Sequence, residues 1–204
     1  MMLWSAAAPA PNPRRVTIFL AEKGLTIPVT DLAIFKREHK APAFLVKNPR
    51  GQVPALELDD GTVIAESISI CRYLDALHPE PALFGDLPLD RALVDVALRR
   101  VETILGVPLS MVWMHTHPLT ATVVVPQYTE FGESNRAKLA AALGWFDTAV
   151  APGGFVAGDR FTIADIALWT SIDFGRAVGL VALDDTPALA GWFARVSARP
   201  SIAA

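Results

Sequence analysis

Glu66 and Ser67 place a carboxylate beside a hydroxyl just ahead of Ile70, Tyr73, Leu74 and Leu77. That apolar spacing predicts a helix, so the pair stands at a helix start. Both residue types suit that position, Ser as a cap and Glu against the positive end of the dipole. The unpartnered N–H groups of a first helical turn also suit an anion. Upstream, Gln52-Val53-Pro54-Ala55-Leu56 opens a strand on a proline. Proline cannot donate to a strand ladder, so Pro54 belongs at a first position or an edge. Asp60-Gly61 between two β-rich runs is a hairpin signal. A proline-led hairpin running into a polar helix start points to a site for a small anion or a peptide.

Other reactive side chains read as structural. Cys71 falls among core positions of the predicted Ile68–Leu77 helix, where a free cysteine is an inert small hydrophobe. His115 and His117 are two residues apart, whereas a helical metal site needs a spacing of three or four, so no metal is expected. Thr162 to Asp165 resembles a capping box, with Phe161 placed to staple onto Ile166. These are folding devices.

The elements that must position these residues follow from the rest of the chain. Met2-Leu3-Trp4 predicts a strand. Asn12-Pro13 predicts a helix start, Asn as N-cap and Pro at the first helical position. Val16, Phe19 and Leu20 give its buried stripe and Gly24 its stop. Ile27–Leu32 reads as a second strand and Pro42–Leu45 as a short helix, before the hairpin and its helix. The order is βαβαββα, an α/β domain over residues 1–80. Pro81, Gly85 and Pro88 mark a linker over 81–88. Apolar-periodic segments near Asp90–Met114, Asn135–Ala149, Ile163–Val178 and Pro187–Ala198 then predict an all-α domain over 89–204. Val123-Val124-Val125 is too short and isolated to build a sheet.

Composition narrows the function. The 204 residues are 52% apolar and 19% charged, which excludes disorder, and the net charge is −3. That balance gives no electrostatic footprint for nucleic acid or an anionic membrane. There is no apolar run of roughly 18 residues, so no transmembrane helix is expected. Met1–Ala10 lacks the basic and apolar regions of a signal peptide and is expected to be mature sequence. The single cysteine permits no internal disulfide and fits the cytoplasm.

Three motifs in order carry a resemblance over nearly the whole chain. Trp4 to Gly24, with Pro11-Asn12-Pro13-Arg14-Arg15-Val16, is similar to the first strand and helix of bacterial cytosolic glutathione transferases. Asn48-Pro49-Arg50-Gly51-Gln52-Val53-Pro54-Ala55-Leu56, with Asp60 to Ser67, resembles their glutathione-binding core. Val156 to Asp165 resembles their second-domain capping motif. The resemblance implies a thioredoxin-like N-terminal domain, an all-α C-terminal domain, a homodimer, and a detoxification enzyme using glutathione as co-substrate. It implies a cis Pro54, with Val53 pairing its backbone to glutathione by β-augmentation. Ser67 would hold the γ-glutamyl carboxylate, and Glu66 the γ-glutamyl ammonium. His39, Lys40 and Gln52 would meet the glycine carboxylate, and Trp113 and His117 would line the second-substrate pocket.

The thiol-activating group departs from the family pattern. Aligned on Arg14-Arg15-Val16, the position of the usual Ser or Cys is Ala10, and Ser5 follows Trp4 where other classes have a tyrosine. Asn12 matches the asparagine of relatives with a Thr-Pro-Asn or Ser-Pro-Asn motif. As an N-cap, it is expected to accept a backbone N–H and aim its amide NH2 at a thiolate, with Ser5 as the second candidate. The expected reaction is conjugation of the glutathione thiolate to a small, mostly apolar electrophile. Glutathione-dependent disulfide or peroxide reduction is the related alternative. A non-catalytic interaction module is the other; Ala10 favours it, and the Gln52-Val53-Pro54 and Glu66-Ser67 pattern argues against it.

Overall fold

Pro11 decides where the first helix begins. Its φ is preset for a helix, and its missing N–H would have no intrahelical acceptor there. In the computed structural model, which describes residues 1–150 and 153–203, strand β1 (Met2–Ser5) is followed by α1 (Pro11–Glu22). Ala10 is the N-cap, with no side-chain cap bond, and Asn12 is the second helical residue. This corrects the start expected from Asn12-Pro13. Both Ala10-Pro11 and Asn12-Pro13 offer a proline to open a helix, and the earlier one is used. Pro13 is accommodated too, because a third N–H in the first turn is also without an intrahelical acceptor. At the other end Gly24, at φ 63°, donates to Ala21 O, and Leu25 donates to Leu20 O, closing the helix with a left-handed stop.

Next come β2 (Val29–Asp31), two 3-10 turns over 34–40, α2 (Pro42–Leu45), β3 (Ala55–Glu57), β4 (Val63–Ala65) and α3 (Ser67–Leu77). The sheet order is β2-β1-β3-β4, with β1 parallel to β2 and the other pairs antiparallel. Leu3 pairs with both Val29 and Leu56, and Leu56 pairs with Ile64. Leu3 and Leu56 are fully buried together with Val16 and Phe19 of α1 and Ile70, Cys71 and Leu74 of α3. The helical stripes read from the sequence therefore cover the sheet.

The chain divides into two units: Met1–Phe84 joined by the residues from Pro200 on, and Gly85–Arg199. The first unit extends past the proline cluster near residue 80 because Leu83 and Phe84 are buried. Phe84 meets Phe19 edge-on at 6.0 Å and carries the Arg72 guanidinium at 4.8 Å. The short α10 (Pro200–Ala203), expected to belong with the helical segment, is instead tied to the first unit, where the Ser201 hydroxyl donates to Glu22.

The second unit is helical: α4 (Pro88–Arg100), a π-helical turn at Val101–Gly106, α5 (Val107–Thr116), α6 (Thr129–Ser134), α7 (Arg136–Ala149), α8 (Ile163–Ala177) and α9 (Pro187–Ser197). The π turn sits where Pro108 can neither donate to the preceding turn nor fit against its carbonyl, so the helix widens just upstream. Val123–Val125 forms turns. Asp165, the third residue of α8, closes the capping box with Thr162. Phe161 packs edge-on against Phe155 and carries the Arg199 guanidinium at 3.9 Å.

Candidate functional site

Within the first unit a cleft of about 270 Å³ is lined by Asn12, His39, Lys40, Gln52, Val53, Glu66 and Ser67, together with Ile34, Asn48, Gly51 and Pro54. Four separate stretches converge on it: the first turn of α1, the 3-10 turns after β2, the loop before β3 and the start of α3. Of the residues singled out in the sequence, Ser5 lies outside this lining, buried at the end of β1. Trp113 and His117 belong to the helical unit.

The loop before β3 is built around Asn48. Its side chain is buried; Nδ2 donates to Gln52 O at 2.7 Å, while Oδ1 accepts from the Arg50 N–H at 3.3 Å. The Gly51 N–H donates to Asn48 O at 2.7 Å. Gly51 sits at φ 55°, and a Cβ there would come within 2.7 Å of His39 O and 2.9 Å of Lys40 Cδ. Only glycine fits this turn against the 39–40 segment. The Lys40 ammonium donates to Arg50 O at 2.8 Å, which ties the same two stretches together. The Val53–Pro54 bond is cis. Among the described residues neither the N–H nor the C=O of Val53 has a backbone partner, so this cleft-lining residue carries free main-chain groups.

Glu66, which also lines the cleft, is the N-cap of α3 at φ 67°, a left-handed conformation that costs a non-glycine residue roughly 1–3 kcal/mol and clusters at ligand clamps. Its carboxylate is largely exposed and lies 3.4 Å from Arg50 Nη1. Ser67, the first residue of α3, is buried with its residue against the cleft, beside the first-turn N–H groups of an 11-residue helix. Acceptor and donor groups for a zwitterionic head thus stand side by side.

His39 Nδ1 is buried without a hydrogen-bond partner. Burial, helped by the charges of Lys40 and Arg37, pulls the imidazole pKa below its ordinary value, so the ring is neutral at pH 7. An orphaned buried nitrogen in a cleft wall fits a group waiting for a ligand. Asn12 is exposed in the first turn of α1 and, among the described residues, its amide makes no hydrogen bond, so both its NH2 and its oxygen are free.

Cys71 is fully buried in α3, and burial pushes its thiol far up, out of the range of a nucleophile. His117 Nδ1 accepts from the Leu119 N–H at 3.2 Å and so caps a turn, with its ring 4.3 Å from that of Trp113. Trp113 in turn meets Phe174 edge-on at 5.1 Å. Among the described residues no group of acidic, histidine or cysteine side chains is arranged to hold a metal ion. Among the described residues no helix is long and apolar enough to cross a membrane. Ile34, Asn48 and Gly51 are lining residues not singled out as site residues from the sequence. Asn48-Pro49-Arg50-Gly51 carried a turn signal for two of them; nothing local marked Ile34.

A mixed four-stranded sheet covered by helices, a cis proline ahead of its third strand and a second, helical unit define the class of thioredoxin-like proteins with an all-α second domain. Residues 10–77 match the family model of the glutathione S-transferase N-terminal domain, and residues 112–200 that of the C-terminal domain. The chain belongs to the glutathione S-transferase family and is a glutathione transferase by enzyme class. Glutathione S-transferase 2 of Saccharomyces cerevisiae is 38% identical over 205 residues, covering 99% of this chain and 88% of the relative. The maleylacetoacetate isomerase of Pseudomonas aeruginosa is 32% identical over 183 residues, covering 85% and 80%. The crystal structure of Gtt2 from Saccharomyces cerevisiae superposes with a TM-score of 0.92 at 37% identity, covering 100% of this chain and 99% of that one.

Proposed function

We propose that the cleft binds glutathione extended along Val53 and that the bound thiolate attacks an electrophilic carbon of a small, mostly apolar substrate. The observation that carries this reading is the unpaired main chain of Val53 in a cleft lined also by Glu66, Ser67, His39, Lys40 and Gln52. Ser67 and the α3 N–H groups take the γ-glutamyl carboxylate, Glu66 takes the ammonium, and the His39 side receives the glycine carboxylate. A C–S bond forms, and the electron pair departs with the displaced group or stays on the substrate to be protonated. Trp113 and His117 are proposed contacts of the second substrate. The sole cysteine is buried, so the reactive sulfur belongs to glutathione, which favours conjugation over chemistry through a protein thiol.

Asn12 is assigned to the thiol, with Ser5 the weaker candidate because it is buried outside the cleft lining. Lowering a thiol pKa from about 8.5 by roughly two units needs about 2.7 kcal/mol. A hydrogen bond to a charged group supplies about 1.5–3 kcal/mol and a helix N-terminus about 0.3–1 kcal/mol. With its amide free of capping duty, Asn12 can donate to the sulfur. The test is calorimetric glutathione binding, followed by thiolate absorbance of the bound ligand against pH. Wild type is expected to lower the thiol pKa by about two units, and Asn12→Ala to return about one of them. Absent binding would sink the glutathione reading, and equal shifts in both proteins would clear Asn12 of the role.

The protein is proposed to act in the cytoplasm as a homodimer. Leu89, Leu93 and Val96 are exposed at helical spacing along α4, an apolar stripe suited to a second copy. Leu93→Glu is expected to turn a dimer into a monomer in sedimentation analysis. An unchanged dimer would place the interface elsewhere.

A further inference from the structure

The loop that carries Gln52 and Val53 is bracketed to the sheet by a pair of side chains outside the cleft. Met2 and Trp4 of β1 pair with Glu57 and Ala55 of β3, so Trp4 and Glu57 share one face of the sheet. Both oxygens of Glu57 are used: Oε2 accepts from Trp4 Nε1 at 2.9 Å, and Oε1 accepts from Lys47 Nζ at 2.6 Å. The Lys47 ammonium also lies over the Trp4 ring at 5.2 Å, and buried Phe44 packs against the same ring at 5.9 Å. The Lys47 and Trp4 hydrogen bonds hold the Glu57 carboxyl below its usual range, so it is ionised at neutral pH. Lys47 and Glu57 are about three-quarters covered, with side-chain exposures of 29% and 25%, so solvent screens the pair only in part.

Lys47 directly precedes Asn48, whose buried amide shapes the 48–52 turn, and that turn holds Lys40 through Arg50 O. A rigid path thus runs from the sheet through Lys47 and Asn48 to the wall of the cleft near His39, Lys40 and Gln52. We infer that Lys47, held by Glu57 and Trp4, is a positioning residue for the glycine end of the bound peptide. It touches no ligand; it sets the register of the loop that does. The inference rests on the glutathione reading above.

The experiment compares glutathione with γ-glutamylcysteine, which lacks the glycine, by calorimetry on the full chain. Wild type is expected to prefer glutathione. Lys47→Met is expected to weaken glutathione about fivefold while leaving γ-glutamylcysteine within about twofold, in proportion to one partly buried charge-assisted contact. Lys47→Arg is expected to restore the preference, and Glu57→Gln, which keeps shape and removes charge, to reproduce its loss. Equal weakening of both ligands would show a general loss of fold and overturn the inference, as would an unchanged preference. Amide exchange at Gly51, whose N–H closes the turn on Asn48, reads the loop without ligand. It is expected to quicken in Glu57→Gln, and unchanged exchange would overturn the bracket. A wild type that binds glutathione without preferring it over γ-glutamylcysteine also overturns the inference, whereas one that binds neither overturns the glutathione reading and the inference with it.

Discussion

Replacing Asp165 by alanine is expected to cost about 3–5 kcal/mol, because several buried donors lose their acceptor at about 1–3 kcal/mol each. The carboxylate is fully buried at the start of α8. Its Oδ2 accepts from the Thr162 N–H at 2.9 Å and lies 3.1 Å from the Thr162 hydroxyl; Oδ1 accepts from the Val156 N–H at 3.0 Å and from Trp192 Nε1 at 3.1 Å. One side chain thereby fastens α8, the segment before it and the buried Trp192 of α9. Burial pushes its pKa up to about 6, against the pull of those donors. When the acid is protonated, the Thr162 hydroxyl can turn from donor to acceptor. In the window between the ordinary carboxylate value and about 6, the folded chain holds this proton and the unfolded chain does not. Stability from this group is therefore greatest at low pH and falls as pH rises through about 6, by on the order of 3 kcal/mol in all. Asp90, Glu57 and Glu133 have lowered values and act in the opposite sense, losing stability as pH falls through them. The Asp165 contribution is thus read from the difference in slope between wild type and Asp165→Asn in urea denaturation from pH 4 to 7. Parallel slopes would show that the carboxyl stays ionised throughout.

The features legible in the sequence are those whose causes lie within a few residues. Asp60-Gly61 makes its turn, with Asp60 Oδ1 accepting from the Thr62 N–H at 2.8 Å, and Thr162 and Asp165 make their box, since each needs only its own neighbours. The βαβαββα order is local for the same reason. Where two local signals compete, reading fails: the two prolines flanking Asn12 both mark a helix start, and the choice of Pro11 moved Asn12 from cap to first turn. The six-residue α6 has too few turns for an apolar period. Nothing local sends α10 back to the first unit. In the candidate site, the residue types were visible but their state was not. That Lys40 is tied to Arg50 O, that Glu66 lies beside Arg50 and that His39 Nδ1 is orphaned all depend on packing between distant stretches.

Lys23 is the extreme of that kind, and Lys23→Met is the second large effect. Read along the chain, it is a residue before a helix-stopping glycine. In the fold its side chain is fully buried, and its ammonium lies 2.6 Å from Asp75 Oδ1 while donating to His78 O at 2.7 Å, Pro81 O at 2.6 Å and Pro79 O at 3.1 Å. Each of these four partners is more than 50 residues away in sequence. The ammonium closes the C-terminal end of α3 where the chain leaves the helix, as a cation at a helix C-terminus should. Methionine fills the same space but leaves Asp75 without its counter-charge and three carbonyls without a donor, and breaking a buried pair by removing one partner costs about 3–5 kcal/mol. The loss should reach the cleft as well. Lys23 joins the C-terminal ends of α1 and α3, and the opposite ends of those two helices carry Asn12 and Ser67. A helix pair released at one end can slide or rotate at the other, so glutathione affinity measured in the folded fraction should fall together with stability. Lys23→Arg, which keeps the charge but forces a larger head into a filled site, is expected to retain more affinity than Lys23→Met. If Lys23→Met lost stability and bound glutathione as tightly as wild type, the two helices would be held in register by their apolar faces alone.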